Sequence, residues 1–119
     1  MKVMIADDHS DMRRVLGNIV LLALEEPVEL IECKSGEDAI AHYSDLSPDL
    51  VLMDIELKSM SGFDVTEQIY EQDAQAKVII VTSYDTPTFR RKAKKLHTVG
   101  FVCKDRLSDL NNILQNIAT

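Results

Sequence analysis

Four stretches of the chain, residues 3–6, 50–53, 78–81 and 99–103, are apolar throughout, with no polar residue at alternate positions. A strand with one wet face alternates apolar and polar side chains, whereas a strand covered on both faces does not. These stretches therefore require a sheet buried on both sides, with residues 28–31 as a weaker fifth member. The segments between them carry helical patterns with recognisable starts. Ser10 precedes Met12, Leu16, Ile19 and Ala23; Ser35 precedes Ala39 and Tyr43; Ser61 precedes Val65 and Ile69. Thr86 and Pro87 form a cap and first-turn pair before Phe89, Ala93 and Leu96, and Leu107, Leu110, Leu114 and Ile117 share one helical face at the end. Five strand–helix repeats predict an α/β fold with a parallel sheet, right-handed crossovers and helices on both faces.

With 119 residues, there is room for one domain, expected to span residues 1–119. At 45% hydrophobic and 28% charged residues the chain has enough apolar surface to fold without disulfides. The longest wholly apolar run, residues 19–24, is far below the roughly 20 residues of a membrane span. The apolar stretch at residues 3–6 is too short for the core of a secretory signal. A cytoplasmic location with no membrane partner is the expectation. Cys33 and Cys103 lie 70 positions apart, without a CxxC motif or a histidine at ligand spacing, and read as reduced core thiols. His9, His42 and His97 fall on separate segments and read as structural or surface residues.

Charge is unevenly spread. Residues 1–76 hold 17 acidic against 5 basic side chains, and residues 77–119 hold 3 against 8. The acidic part argues against general nucleic-acid binding. The basic part centres on Arg90, Arg91, Lys92, Lys94 and Lys95, interleaved with Phe89, Ala93 and Leu96, so that its charges are expected to point outward from a helix.

The strand ends carry the chemistry. The first runs into Asp7 and Asp8, the third into Asp54, the fourth into Thr82 and the fifth into Lys104. Ligands of open parallel sheets bind outside the carboxyl ends of the strands, so these residues are expected to face one crevice. Carboxylates gathered there repel by about 4 kcal/mol per pair at ~4 Å and an effective dielectric near 20, which a cation would relieve. Oxygen donors suit Mg²⁺, an ion that shares its coordination shell readily with a phosphoryl group. Lys104 can pair with a phosphoryl oxygen, Thr82 can donate a hydrogen bond to another, and an aspartate can form an acyl phosphate.

In these residues the chain resembles, over essentially its whole length, the receiver domains of two-component response regulators, which have a flavodoxin-like fold. The opening Asp7-Asp8-His9 and the ending Lys104-Asp105 look most like the receivers of helix-turn-helix DNA-binding regulators. The resemblance implies a (βα)5 sheet of order 2-1-3-4-5. It implies that Asp54 accepts a phosphoryl group from a histidine kinase or phosphotransfer protein, and that Asp7 or Asp8, with Asp54 and the backbone carbonyl of Glu56, holds Mg²⁺. It further implies that Thr82 senses the phosphoryl group, that Phe101 is a rotating aromatic, and that the change reaches the face of the fourth helix, fifth strand and fifth helix. Catalysis would be limited to self-catalysed phosphoryl acceptance and autodephosphorylation, with Glu56 and Tyr84 flanking the approach of water. A phosphorylation-dependent homodimer fits the same resemblance, and DNA would be reached only through an output domain outside these residues, in keeping with a role in transcription regulation.

Three positions depart from the family pattern: Lys58 replaces a proline, Ser83 stands where alanine is commoner, and Asp105 replaces a proline after Lys104. Gly62 and Gly100 fall where the pattern has glycine and read as turn positions that tolerate positive φ. Two other readings are an aspartyl phosphatase, which would need an Asp-x-Asp that Asp7-Asp8-His9 does not supply, and a phosphorylation-independent module of the same fold.

Overall fold

The computed structural model describes residues 1–118 and contains five parallel strands: β1 (Lys2–Ala6), β2 (Glu29–Cys33), β3 (Leu50–Met53), β4 (Val78–Thr82) and β5 (Gly100–Cys103). They are joined in the order β2-β1-β3-β4-β5. Five helices alternate with them: α1 (Ser10–Ala23), α2 (Gly36–Leu46), α3 (Gly62–Gln72), α4 (Pro87–Lys95) and α5 (Ser108–Ala118). A single 3₁₀ turn, Lys104–Arg106, follows β5. This is the flavodoxin-like topology expected from the sequence.

The sheet is buried on both faces, and alternate residues of each strand serve different helices. Val3, Ile5, Leu50, Leu52, Ile79 and Val81 pack with Leu16 and Val20 of α1 and Leu110 and Leu114 of α5. Met4, Ala6, Val51, Met53, Val78 and Ile80 pack with Ala39 and Tyr43 of α2, Val65 and Ile69 of α3, and Ala93 of α4. Two apolar faces on one strand explain why the sequence shows runs rather than alternation.

Three of the expected helix caps form: the side chains of Ser35, Ser61 and Thr86 accept hydrogen bonds from the amides of Asp38, Phe63 and Phe89. Ser10 does not cap. It is the first residue of α1, and the cap position falls to His9, whose side chain makes no capping bond. β2 begins at Glu29 rather than Val28 and extends to Cys33, because its pairing with β1 runs from Lys2↔Glu29 to Ala6↔Cys33.

Neither Gly62 nor Gly100 uses its tolerance of positive φ: no glycine has positive φ, and the left-handed positions among the described residues are Ser47, Ser59 and His97. Both glycines answer to space instead. A Cβ on Gly100 would stand 2.9 Å from the Ile113 side chain, and one on Gly62 would stand 1.9 Å from the carbonyl oxygen of Asp54. Gly62 also donates its amide to Ile55 O at 2.7 Å, so the start of α3 lies directly against the end of β3.

Cys33 and Cys103 are free and buried, as expected. Burial, reinforced by the charge of Asp38, pushes the Cys33 thiol up to about 12. At pH 8 roughly one Cys33 in ten thousand is then a thiolate. Iodoacetamide at pH 8 is expected to leave native Cys33 unlabelled over a time in which urea-denatured protein is labelled at both cysteines; comparable native labelling at Cys33, read by peptide mass spectrometry, would refute this packing.

Candidate functional site

The sheet ladder continues past the strand ends and brings the acids together. Asp7 N donates to Cys33 O at 3.1 Å and Asp54 N to Ala6 O at 2.9 Å, so the first polar residues after β1 and β3 remain neighbours. On the other side, Thr82 and Cys103 are paired in register, which sets Lys104 at the same edge. Lys104 Nζ reaches across to donate to Asp7 Oδ2 at 2.8 Å and to Asp54 Oδ2 at 3.2 Å. Asp7 is wholly buried and Asp54 is 5% exposed.

Burial pushes the Asp54 carboxyl up, the charge of Asp7 adds to that, and the ammonium of Lys104 opposes it; the net direction is upward. Burial alone would pull Lys104 down, but its hydrogen bond to Asp7 and the charges of Asp54 and Asp7 carry it above its ordinary value. One ammonium therefore serves two buried carboxylates while a third lies alongside. Asp8 Oδ1 is buried without a hydrogen-bond partner. His9 Nδ1 lies 3.0 Å from it and 3.3 Å from Asp7 Oδ1, but the approach to Asp8 does not have hydrogen-bond geometry.

One donor atom from each of Asp7, Asp8, His9 and Asp54 lies within 4.8 Å of the others. A carboxylate-rich set with an orphaned buried oxygen fits a hard divalent cation, and Asp7, Asp8 and Asp54 are the residues that could hold it. Asp7 Oδ1 is also fixed by the His9 amide at 2.9 Å, and Arg13 Nη1 holds the Asp7 carbonyl at 2.8 Å while its Nε pairs with Glu32 at 2.9 Å. His9 and Arg13 were not among the expected site residues. Direct adjacency to the acid pair was the available signal for His9; Arg13 looked like one more polar residue of α1.

The remaining expected residues surround this cluster less closely. Glu56 is exposed, with its amide 3.4 Å from Asp54 Oδ1. Thr82 is wholly buried, and its Oγ1 accepts the amide of Tyr84 at 3.1 Å. Tyr84 is exposed, as are Lys58, Ser83 and Asp105. Phe101 is half-buried, with the Arg90 guanidinium over its ring at 4.8 Å from the centroid. The expectation that residues 90–95 direct their charges only outward is therefore corrected for two of them. Arg90 covers Phe101, and Lys92 Nζ lies 5.6 Å from the Phe63 ring centroid, so both charged ends turn back toward aromatic rings.

A family model described as the response regulator receiver domain matches residues 3–118. The chain is 33% identical over 116 residues to the uncharacterized transcriptional regulatory protein YvfU of Bacillus subtilis, covering 96% of this chain and 57% of that protein. It is 36% identical over 104 residues to the chemotaxis protein CheY of Halobacterium salinarum, covering 87% of this chain and 83% of that one. Thus it spans little more than half of YvfU. Among solved structures, a DNA-binding response regulator of the LuxR family from Staphylococcus aureus matches with a TM-score of 0.86 at 25% identity, over 99% of this chain and 98% of that one. The response regulator protein TrrA from Thermotoga maritima, in complex with Mg(2+)-BeF, matches with a TM-score of 0.77 at 26% identity, over 95% and 97%. No helix among the described residues is long and apolar enough to cross a membrane.

Two consequences of the geometry are measurable in urea unfolding. Asp54→Asn removes one of the crowded carboxylates and is expected to stabilise the protein by about 1 kcal/mol in metal-free buffer, with a smaller gain when Mg²⁺ is added. A loss of stability in metal-free buffer would show that Lys104 already balances the cluster. Gly62→Ala forces a Cβ into the Asp54 carbonyl and is expected to cost more than the ~1–3 kcal/mol usual for overpacking, since backbone must yield; a cost below 1 kcal/mol would disprove the close approach.

Proposed function

The chain belongs to the response regulator receiver domain family, and from that premise we propose that it is a phosphorylation-activated switch in which Asp54 is the acceptor. A carboxylate oxygen of Asp54 attacks phosphorus, the bond from phosphorus to the donor nitrogen or oxygen breaks, and that donor atom leaves with the electron pair. The observation that carries this reading is the Lys104 ammonium held between Asp7 and Asp54. It stands beside the acceptor, free to pass from a carboxylate oxygen to a phosphoryl oxygen as charge develops there.

Asp7, Asp8 and Asp54, with the carbonyl of Glu56, are the residues that would hold Mg²⁺, and the orphaned oxygen of Asp8 supports that assignment. When bound, the ion supplies charge neutralisation for the phosphoryl oxygens. His9 N and Arg13 keep Asp7 oriented. Thr82, whose oxygen already accepts a backbone bond, retains its hydroxyl proton for a phosphoryl oxygen. Its movement toward the acceptor, with inward rotation of Phe101, would carry the signal to the surface of α4, β5 and α5. The partners on this reading are a sensor histidine kinase or phosphotransfer protein and, on the output side, an attached effector domain or a second copy of the chain, in the cytoplasm. The likeness to transcriptional regulators and to a chemotaxis protein supports either kind of output.

Incubation with acetyl phosphate and Mg²⁺ is expected to add the mass of one phosphoryl group, and Asp54→Asn is expected to remove the addition. If the variant gains the same mass, the acceptor is elsewhere; if the wild type gains none with any phosphodonor or kinase, the phosphorylation-independent module is the better reading. Thr82→Ala is expected to keep the mass change while losing most of the amide shifts on the α4–β5–α5 surface, and shifts of wild-type size there would remove Thr82 from the relay.

A further inference from the structure

Asp85 stands three residues beyond Thr82, in the loop between β4 and α4, and two segments converge on its carboxylate. Arg90 of α4 grips it as a two-pronged pair, with Nε on Oδ1 and Nη2 on Oδ2 at 2.9 Å. Arg106 of the 3₁₀ turn after β5 places Nη2 3.3 Å from Oδ2. The guanidinium of Arg90 that Asp85 orients is the same group that lies over the Phe101 ring. Arg90 draws the Asp85 carboxyl below its ordinary value, in keeping with the ion pair.

These contacts join in one line. Thr82 Oγ1 holds the amide of Tyr84, Tyr84 is bonded to Asp85, Asp85 orients Arg90, and Arg90 covers Phe101. A guanidinium–carboxylate fork depends on the relative orientation of two planes, so a shift of the Asp85 backbone that turns one plane weakens it. All three charged side chains are solvent-accessible, with relative exposures of 47% for Arg90, 28% for Asp85 and 63% for Arg106. Water and salt weaken such pairs, which makes the contact a poor staple but a readily reversible hold.

Resting on the phosphorylation reading above, we propose that Asp85 and Arg90 are positioning residues of the switch: together they keep Phe101 in its resting, half-buried placement, and movement of Thr82 toward the phosphoryl group releases the ring by pulling Asp85 out of the Arg90 fork. The two residues touch neither the acceptor nor the cation site. Their influence falls on the balance between resting and switched states, and the ligand that reads this balance is whatever binds better to the switched one. Arg106 shares Oδ2 of the same carboxylate with Arg90, so the turn after β5 is tied into the resting arrangement as well.

The test uses the whole chain labelled at phenylalanine, with Mg²⁺ and beryllofluoride as the probe. Asp85→Asn keeps side-chain size, Arg90→Gln trades the guanidinium for a shorter neutral amide, and both lie at the surface. Without the probe, each is expected to displace the Phe101 ring resonances from the wild-type position toward those of the saturated protein. Each is also expected to lower the beryllofluoride midpoint by about two- to fivefold, the range of weak ion-pair and cation–π contacts. The double variant should do little more than either single one, since both break one connection. A merely structural role would lower the melting temperature without moving the midpoint. An unchanged ring signal with a wild-type midpoint overturns the proposal, and so does a raised midpoint, which would assign the contact to the switched state. If the wild type itself does not respond to the probe, the phosphorylation reading falls and takes the proposal with it; a responsive wild type with indifferent variants overturns the positioning role alone.

Discussion

Like charges gathered at the edge of a parallel sheet are the constraint around which this molecule is arranged. Asp7 and Asp54 follow neighbouring strands, and the backbone bonds that continue the ladder, Asp7 N to Cys33 O and Asp54 N to Ala6 O, leave them no freedom to move apart. Lys104 compensates from the far side of the sheet, 97 positions along the chain from Asp7. Folding alone does not relieve the crowding; an additional cation, or a charged group that draws Lys104 and such a cation to itself, does. On the proposed reading, the same repulsion is what makes the site receptive to a cation and a phosphoryl group.

The fold was legible because burial on both faces leaves an unmistakable mark: Val3, Met4 and Ile5 serve opposite cores in turn, and a run of apolar residues is the only pattern that meets both demands. Strand ends were legible too, since Asp7, Asp54 and Lys104 each interrupt such a run. What escaped was everything set by side-chain reach. Arg13 and Arg90 each extend several bonds from their helices, one to a carbonyl of the site and the other to an aromatic ring, and helical spacing places only their Cα atoms. His9 was set aside for lacking a partner at ligand spacing, while its partners were the two residues before it.

The constraint on the glycines escaped for a related reason. At Gly62 the constraint is the carbonyl of Asp54 pressed against the Cα, a contact between segments that no local pattern records. Positive φ is instead found at Ser47, Ser59 and His97, polar residues that tolerate the left-handed region less readily than glycine. Ser59 lies in the loop after β3 that also carries Lys58.

Because the amides of Asp7 and Asp54 continue the backbone ladder past the ends of β1 and β3, they can exchange with solvent water only when that ladder opens. The loop carrying Tyr84 and Asp85 is held instead by side-chain contacts, the Tyr84 amide on the Thr82 hydroxyl and the Asp85 carboxylate on the exposed Arg90. On the proposed reading the acceptor therefore sits in the part expected to open last, and the Asp85–Arg90 hold in the part expected to open first.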